Sequence, residues 1–153
     1  MSKKVYAVLG AGRQGTAAAY DMAKWGEAEK VLIGDIDLET AKKAARRVNQ
    51  LRGRKIAEGQ QVDVTDHARL VEFLTGVDSF LSAVPYWHNP AITLAAIEAK
   101  ACMTDLGGNT DLVRQQMALS PQAQAAGIAI IPDCGQVPGM GTSLSVYAMS
   151  LLD

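Results

Sequence analysis

A chain of 153 residues holds one domain's worth of core, and a second domain does not fit beside it. Fifteen Lys and Arg against sixteen Asp and Glu give a net charge of −1, which argues against nucleic acid or an anionic membrane as partner and for a small molecule. No run reaches the roughly eighteen uninterrupted apolar residues of a membrane span, and Met1-Ser2-Lys3-Lys4 leads straight into a strand rather than a signal-peptide core, so a cytoplasmic location is expected.

Residues 4 to 9 read as an apolar strand that breaks into Gly10-x-Gly12-x-x-Gly15. A strand feeding such a turn, with a helical pattern over Thr16–Trp25 behind it, is the phosphate-binding start of a Rossmann βαβ unit. Gly10 allows the tight turn, Gly12 lets backbone approach a pyrophosphate, and Gly15 lets the helix pack closely on the strand. The phosphates are then expected against Gly10, Gly12, Arg13, Gln14 and Gly15, at the positive end of the helix dipole. Arg13 opposes that dipole unless a bound anion neutralises it; as a solvated side chain it costs under about 1 kcal/mol.

The second strand, Lys30–Asp35, ends in a carboxylate 20 residues beyond Gly15, where a ribose-binding acid belongs. Asp35 can accept from both ribose hydroxyls and would repel a 2′-phosphate, and Ile36 stands where an NADP-binding arginine often sits, so NAD is favoured over NADP. Asp37 is the expected cap of a helix over Leu38–Leu51 with Ala41, Ala44, Ala45 and Val48 as its packed face. A third strand lies within Lys55–Val64, interrupted by Gly59 and two glutamines. At its end Asp63 either accepts from an adenine amino group, with Val64 packed on the ring, or forms a turn. Thr65 or Asp66 caps the next helix, which runs to Leu74.

Ser79–Val84 is a buried fourth strand, and Asn89 as cap with Pro90 at the first helical position opens the following helix. Ala83, Val84 and Pro85 are expected to run past the cofactor, and Tyr86 or His88 to face substrate; the alternative is that Tyr86 and Trp87 cover the sheet edge. Ala101–Asp105 is strand five, with Asp105 beside a Gly-Gly pair. Asp105 is the one candidate catalytic residue, a carboxylate able to contact a cationic amine, although it could equally cap that turn. Residues 111 to 126 are helical with a break near Ser120-Pro121, and Ile128–Ile131 is strand six. Cys102 and Cys134 show no metal-ligand spacing and read as structural thiols. Strands alternating with helices predict an α/β Rossmann fold, a doubly wound parallel sheet of six strands in the order 3-2-1-4-5-6.

A last helical segment follows Pro138-Gly-Met-Gly141, with Met140, Leu144, Tyr147, Ala148 and Leu151 on one face and no element to receive it. The expected division is an NAD-binding domain over residues 1 to 135, with residues 136 to 153 leading into a substrate and dimerisation domain outside this chain.

Val8-Leu-Gly-Ala-Gly12, Ala83-Val-Pro85, Thr104-Asp-Leu-Gly-Gly108, Ala123-Gln-Ala-Ala-Gly127 and Ile130-Ile-Pro-Asp-Cys-Gly-Gln-Val-Pro-Gly-Met140 resemble the N-terminal domain of the saccharopine dehydrogenase-like family, and within it most the L-lysine 6-dehydrogenases. The resemblance implies a nicotinamide-dependent oxidoreductase acting on an amino-acid substrate. Hydride leaves the carbon bearing the amino group, and the imine is then hydrolysed. It further implies a second domain that closes over the cofactor and makes the contacts of a homodimer or larger homo-oligomer. A saccharopine-type reductase joining an amino acid and an aldehyde is the alternative within enzymes, and a non-catalytic NAD-binding regulatory module the alternative outside them.

Overall fold

The computed structural model describes residues 4–152. The first strand, β1 (Lys4–Leu9), is followed by α1 (Arg13–Trp25), β2 (Ala28–Asp35), α2 (Leu38–Arg52), β3 (Ala57–Gln61) and α3 (His67–Leu74). Next come β4 (Ser79–Ser82), a 3₁₀ turn over Tyr86–His88, α4 (Asn89–Ala99), β5 (Cys102–Asp105), α5 (Thr110–Ala118), α6 (Ser120–Ala126), β6 (Ile130–Ile131) and α7 (Met140–Met149). All strand pairs are parallel, and the sheet order is β3-β2-β1-β4-β5-β6, the doubly wound order expected from the alternating pattern.

Alternation along the strands sorts the core into two layers. Ala7, Leu9, Leu32, Phe80 and Met103 point to the face covered by α3 and α4, where Leu70, Phe73, Leu74, Ile92 and Ala96 meet them. Val8, Val31, Ile33 and Leu81 point to the other face, against Ala19 and Ala23 of α1 and Ala44, Ala45 and Val48 of α2. Helices on both faces are the reason the central strands are apolar at nearly every position. The alanines on α1 and α2 let two helices sit side by side over β1 and β2, so the carboxyl ends of β1 and β2 emerge beside the N-terminus of α1.

Four local expectations change. The helix after Gly12 starts at Arg13, one turn earlier than the apolar pattern suggests, because Gly12 takes the extended cap conformation (φ −67°, ψ −169°). Asn89 does not cap α4: the 3₁₀ turn runs directly into the helix, His88 occupies the cap position, and the buried Asn89 Oδ1 instead accepts from Ser82 Oγ at 2.8 Å. The amide is needed there to satisfy a hydroxyl that β4 buries. Strand six is two residues long, and Ala83–Pro85 lie beyond the end of β4 rather than in it.

The last helix has no buried residue. Leu144 is 57% and Tyr147 64% exposed, and Val146 and Met149, on the opposite side, are exposed as well, so apolar surface surrounds α7 rather than forming a single face. Among the described residues no helix is long and apolar enough to cross a membrane.

Candidate functional site

At the carboxyl edge of the sheet the β1–α1 turn is locked from both sides. Gly10 N–H donates to Gly34 O of β2 at 2.8 Å, and Ala83 N–H donates to Leu9 O at 2.8 Å. A Cβ at Gly15 would stand 1.8 Å from Gly10 O, and one at Gly10 would stand 2.8 Å from Ala83 O, so both glycines are required by close backbone approach. A Cβ on Gly12 would meet nothing within 4 Å, because that position opens onto the cleft. No side chain caps α1, which leaves the first N–H groups of the helix available at its positive end.

Asp35 closes the β2 side. Its Oδ2 accepts from Ala11 N–H at 2.8 Å and its Oδ1 from Asp37 N–H at 3.0 Å. One donor on each oxygen leaves lone pairs for further donors, and the half-buried carboxylate lines the cleft.

The cleft between these elements has a volume of about 400 Å³. Gly10, Gly12, Asp35 and Ile36 form one wall, Asp63 and Val64 the end, and Ala83, Val84, Pro85 and His88 the other wall. The fold thus brings together ten of the residues singled out from the sequence. Gly34, Val62 and Thr65 complete the lining and are not site candidates from the sequence; Thr65 enters there only as a candidate cap of α3, a role that falls to Asp66. Ile36, Val62, Val64 and Val84 give the cleft an apolar character suited to a flat heteroaromatic ring.

Asp63 is a turn residue: its Oδ1 accepts from Thr65 N–H at 2.9 Å and Thr65 Oγ1 at 2.7 Å. Those bonds, the hydroxyl's first, and the nearby His88 hold its carboxyl below the usual range, so it enters the cleft as an anion. Gln14 is exposed on the first turn of α1, and Gly15 is buried beneath it. Arg13 faces away from this cleft, into a second one of about 450 Å³ between α1 and α2. Tyr86 lies over Gly108 and packs edge-on against Trp87 at 5.2 Å between ring centroids, outside the lining.

The expectation that Asp105 contacts an amine is not what the geometry presents. The residue has no exposure; Oδ1 accepts from Gly107 N–H (2.7 Å) and Asp133 N–H (3.0 Å), and Oδ2 accepts from Gln116 Nε2 (2.8 Å). The carboxylate ties the Gly107-Gly108 turn to the Asp133-Cys134 turn, which is the capping role in extended form. Gln116, Thr93 and Asn89 continue this buried polar network under the loops.

The cleft therefore presents uncapped amides for a diphosphate, a carboxylate for vicinal hydroxyls and an apolar slot for a base, which fits a dinucleotide. A family model described as the saccharopine dehydrogenase NADP binding domain matches residues 6–131. Among solved structures, an apo histidine-tagged saccharopine dehydrogenase (L-Glu forming) from Saccharomyces cerevisiae matches with a TM-score of 0.73 at 23% identity, over 97% of this chain and 31% of that one. Quinate dehydrogenase from Corynebacterium glutamicum in complex with NAD matches with a TM-score of 0.58 at 19% identity, over 85% of this chain and 44% of that one. A shikimate 5-dehydrogenase from Mycobacterium fortuitum matches with a TM-score of 0.62 at 19% identity, also over 85% and 44%. At these identities the likeness is one of fold, and the chain spans 31% to 44% of the length of these proteins.

Proposed function

The chain belongs to the saccharopine dehydrogenase NADP binding domain family, and from that premise we propose that it is the NAD-binding part of an oxidoreductase acting on the amino group of an amino acid, lysine or a related amine. It is an NAD(P)-binding domain of the saccharopine dehydrogenase-like oxidoreductases; the preference for NAD, the amine substrate, a cytoplasmic location and a homo-oligomeric whole are the steps beyond that. The observation that carries the reading is the pairing of an uncapped α1 N-terminus with Asp35, a half-buried carboxylate that lines the same cleft with one donor on each oxygen.

In this reading Gly10, Gly12 and the first amides of α1 hold the diphosphate, with Arg13, Gln14 and Gly15 setting that turn. Asp35 accepts from the ribose hydroxyls while Ile36, Val64 and Val84 cover the adenine ring, and Asp63 offers it an acceptor. Bound nicotinamide would supply hydride acceptance, and Ala83–Pro85 and His88 flank the way to it. Residues up to about 135 make the nucleotide site, and the segment from 136 leads into a substrate and dimerisation domain. Asp105 acts as a positioning residue, fixing the Gly107-Gly108 turn to the Asp133-Cys134 turn.

Calorimetric titration of the chain with NAD tests this, comparing wild type with Asp35→Asn. The variant keeps an acceptor for Ala11 N–H but loses the charge and one acceptor. We expect NAD to bind and the variant to bind about tenfold more weakly, a loss of roughly 1.4 kcal/mol, in the range of a hydrogen bond to a charged group. No binding of NAD or NADP at millimolar concentration would overturn the proposal.

A further inference from the structure

Beside the sheet's last strand, α5, α6 and β6 frame a groove of about 610 Å³, larger than the nucleotide cleft and sharing no residue with it. Its walls are apolar, made by Met117, Ala123, Ile128, Ile130 and Pro132, and no residue that lines it carries a charge. The floor holds a buried polar side chain. Gln116 is 3% exposed, and its Nε2 donates to Asp105 Oδ2 at 2.8 Å and to Thr93 Oγ1 at 3.1 Å.

Those two bonds fix which way the amide faces. The Asp105 carboxylate only accepts, and the Thr93 hydroxyl spends its proton on Asn89 O at 2.9 Å, so Gln116 turns both N–H donors toward them. Its Oε1 is then left over. Among the described residues nothing donates to it, yet no enclosed side-chain nitrogen or oxygen lacks a partner, so Oε1 is the atom that opens onto the groove. A buried amide with both donors spent thus presents one acceptor at the end of an uncharged apolar slot.

We propose that this groove binds a small uncharged molecule, a flat apolar body packed against Met117, Ala123, Ile128 and Ile130 with a single N–H or O–H donating to Gln116 Oε1. Mostly apolar walls with a polar group that fixes orientation are the usual make of a small-molecule site. An ion is disfavoured, because it would shed its hydration with no opposite charge to meet it. A peptide strand is the poorer occupant too. β6, the open edge beside the groove, is two residues long, and Ala129 O faces β5, where it accepts from Met103 N–H at 3.0 Å, so Ile130 alone of the strand turns its backbone groups outward. The Gln116 amide also donates to the carboxylate that ties the Gly107-Gly108 turn to the Asp133-Cys134 turn, so the groove ends on the support of those turns.

The test is an NMR titration of the chain with indole and with 1-methylindole, which keeps the ring system but has no donor, on wild type, Gln116→Met and Ser120→Phe. Ser120 is exposed on the groove's rim, so a phenyl ring there fills the slot without touching the buried network. Thermal melts serve as the folding control. We expect indole to bind wild type with a Kd of about 1 mM, a modest ligand efficiency for so small a molecule, and to shift the amides of Met117, Ser120 and Ile128–Ile130. The methylated ring should bind about tenfold more weakly, the effect of one lost hydrogen bond, and Ser120→Phe should bind neither probe. Gln116→Met should lose the difference between the probes; if it fails to fold because Asp105 is left short of a donor, wild type and Ser120→Phe decide. Equal affinity of the two probes for wild type, unchanged indole affinity in Ser120→Phe, shifts confined to residues outside the groove, or no shift up to about 10 mM would each overturn the proposal.

Discussion

Gly12 and Gly15 are three residues apart, and the structure gives them opposite reasons to be glycine. A methyl on Gly15 would overlap Gly10 O at 1.8 Å, and since that oxygen belongs to the backbone of the turn, relief requires moving the turn or the helix. Overpacking of this kind costs about 1–3 kcal/mol, more than the roughly 1 kcal/mol of helix propensity that alanine brings. A methyl on Gly12 meets nothing within 4 Å and sits at backbone angles open to any residue, so it leaves the fold alone and stands only in the way of a ligand. Chemical denaturation should accordingly show Gly15→Ala less stable by about 1–2 kcal/mol and Gly12→Ala unchanged within about 0.5 kcal/mol. NAD titration should show Gly12→Ala weakened by about tenfold or more, as expected when a close backbone contact to a diphosphate is lost. Wild-type NAD affinity in Gly12→Ala would rule out close approach at that position.

Among the elements, α7 contrasts with the other helices. Every helix from α1 to α6 buries at least one residue against the sheet or a neighbour, whereas α7 buries none. Replacing Leu144 and Tyr147 together with glutamate should therefore shift the unfolding free energy by no more than about 0.5 kcal/mol per site, as for other surface changes. A loss of 2 kcal/mol or more in a denaturant melt would show that the helix packs on the domain. The order of the elements and the sheet topology were legible because the apolar periods are strong and the glycine turn and Asp35 fall at fixed spacing. The weak spots have physical causes. Strand β3 lacks an apolar pattern because α2 crosses it so closely that a Cβ at Gly59 would lie 2.5 Å from the Ala41 backbone, a contact that sequence spacing does not record. Asn89 carries the signature of a cap, and only the buried Ser82 hydroxyl opposite it explains its other use. Asp105 was visible as a polar residue at a strand end, but its partners Gln116 and Asp133 lie 11 and 28 residues away, so its burial and its bridging of two loops emerge only from the fold.

At the scale of the whole molecule, stability should depend on pH through carboxylates at the sheet's two ends. Asp78, beside the amino-terminal end of β1, accepts from Val5 N–H at 2.8 Å and pairs with Lys4 at 3.0 Å, and these hold its carboxyl below the usual range. Asp63 and Asp37, at the carboxyl edge, are lowered by hydroxyl and amide donors from Thr65 and from Thr40 and Glu39. A lowered folded-state pKa means that the native state holds the anion more strongly than the unfolded chain does. The contribution is complete above the unfolded value of about 4 and is lost as pH falls through the depressed folded values. Lys4 is raised by the same Asp78 contact, so its contribution is complete below its ordinary value of about 10.4 and is lost as pH rises through the higher folded value. One pair thus bounds stability on both sides. Asp78→Asn keeps an oxygen for Val5 N–H and removes the charge, so melting temperature plotted from pH 2 to 11 should fall less steeply below about pH 4 and above about pH 10 than in wild type. Since both side chains are more than a third exposed, the change should be a shallowing of the two limbs with little effect at neutral pH, and it should shrink in high salt. Limbs of unchanged steepness in the variant would show that the Lys4–Asp78 pair is not what couples this end of the sheet to pH.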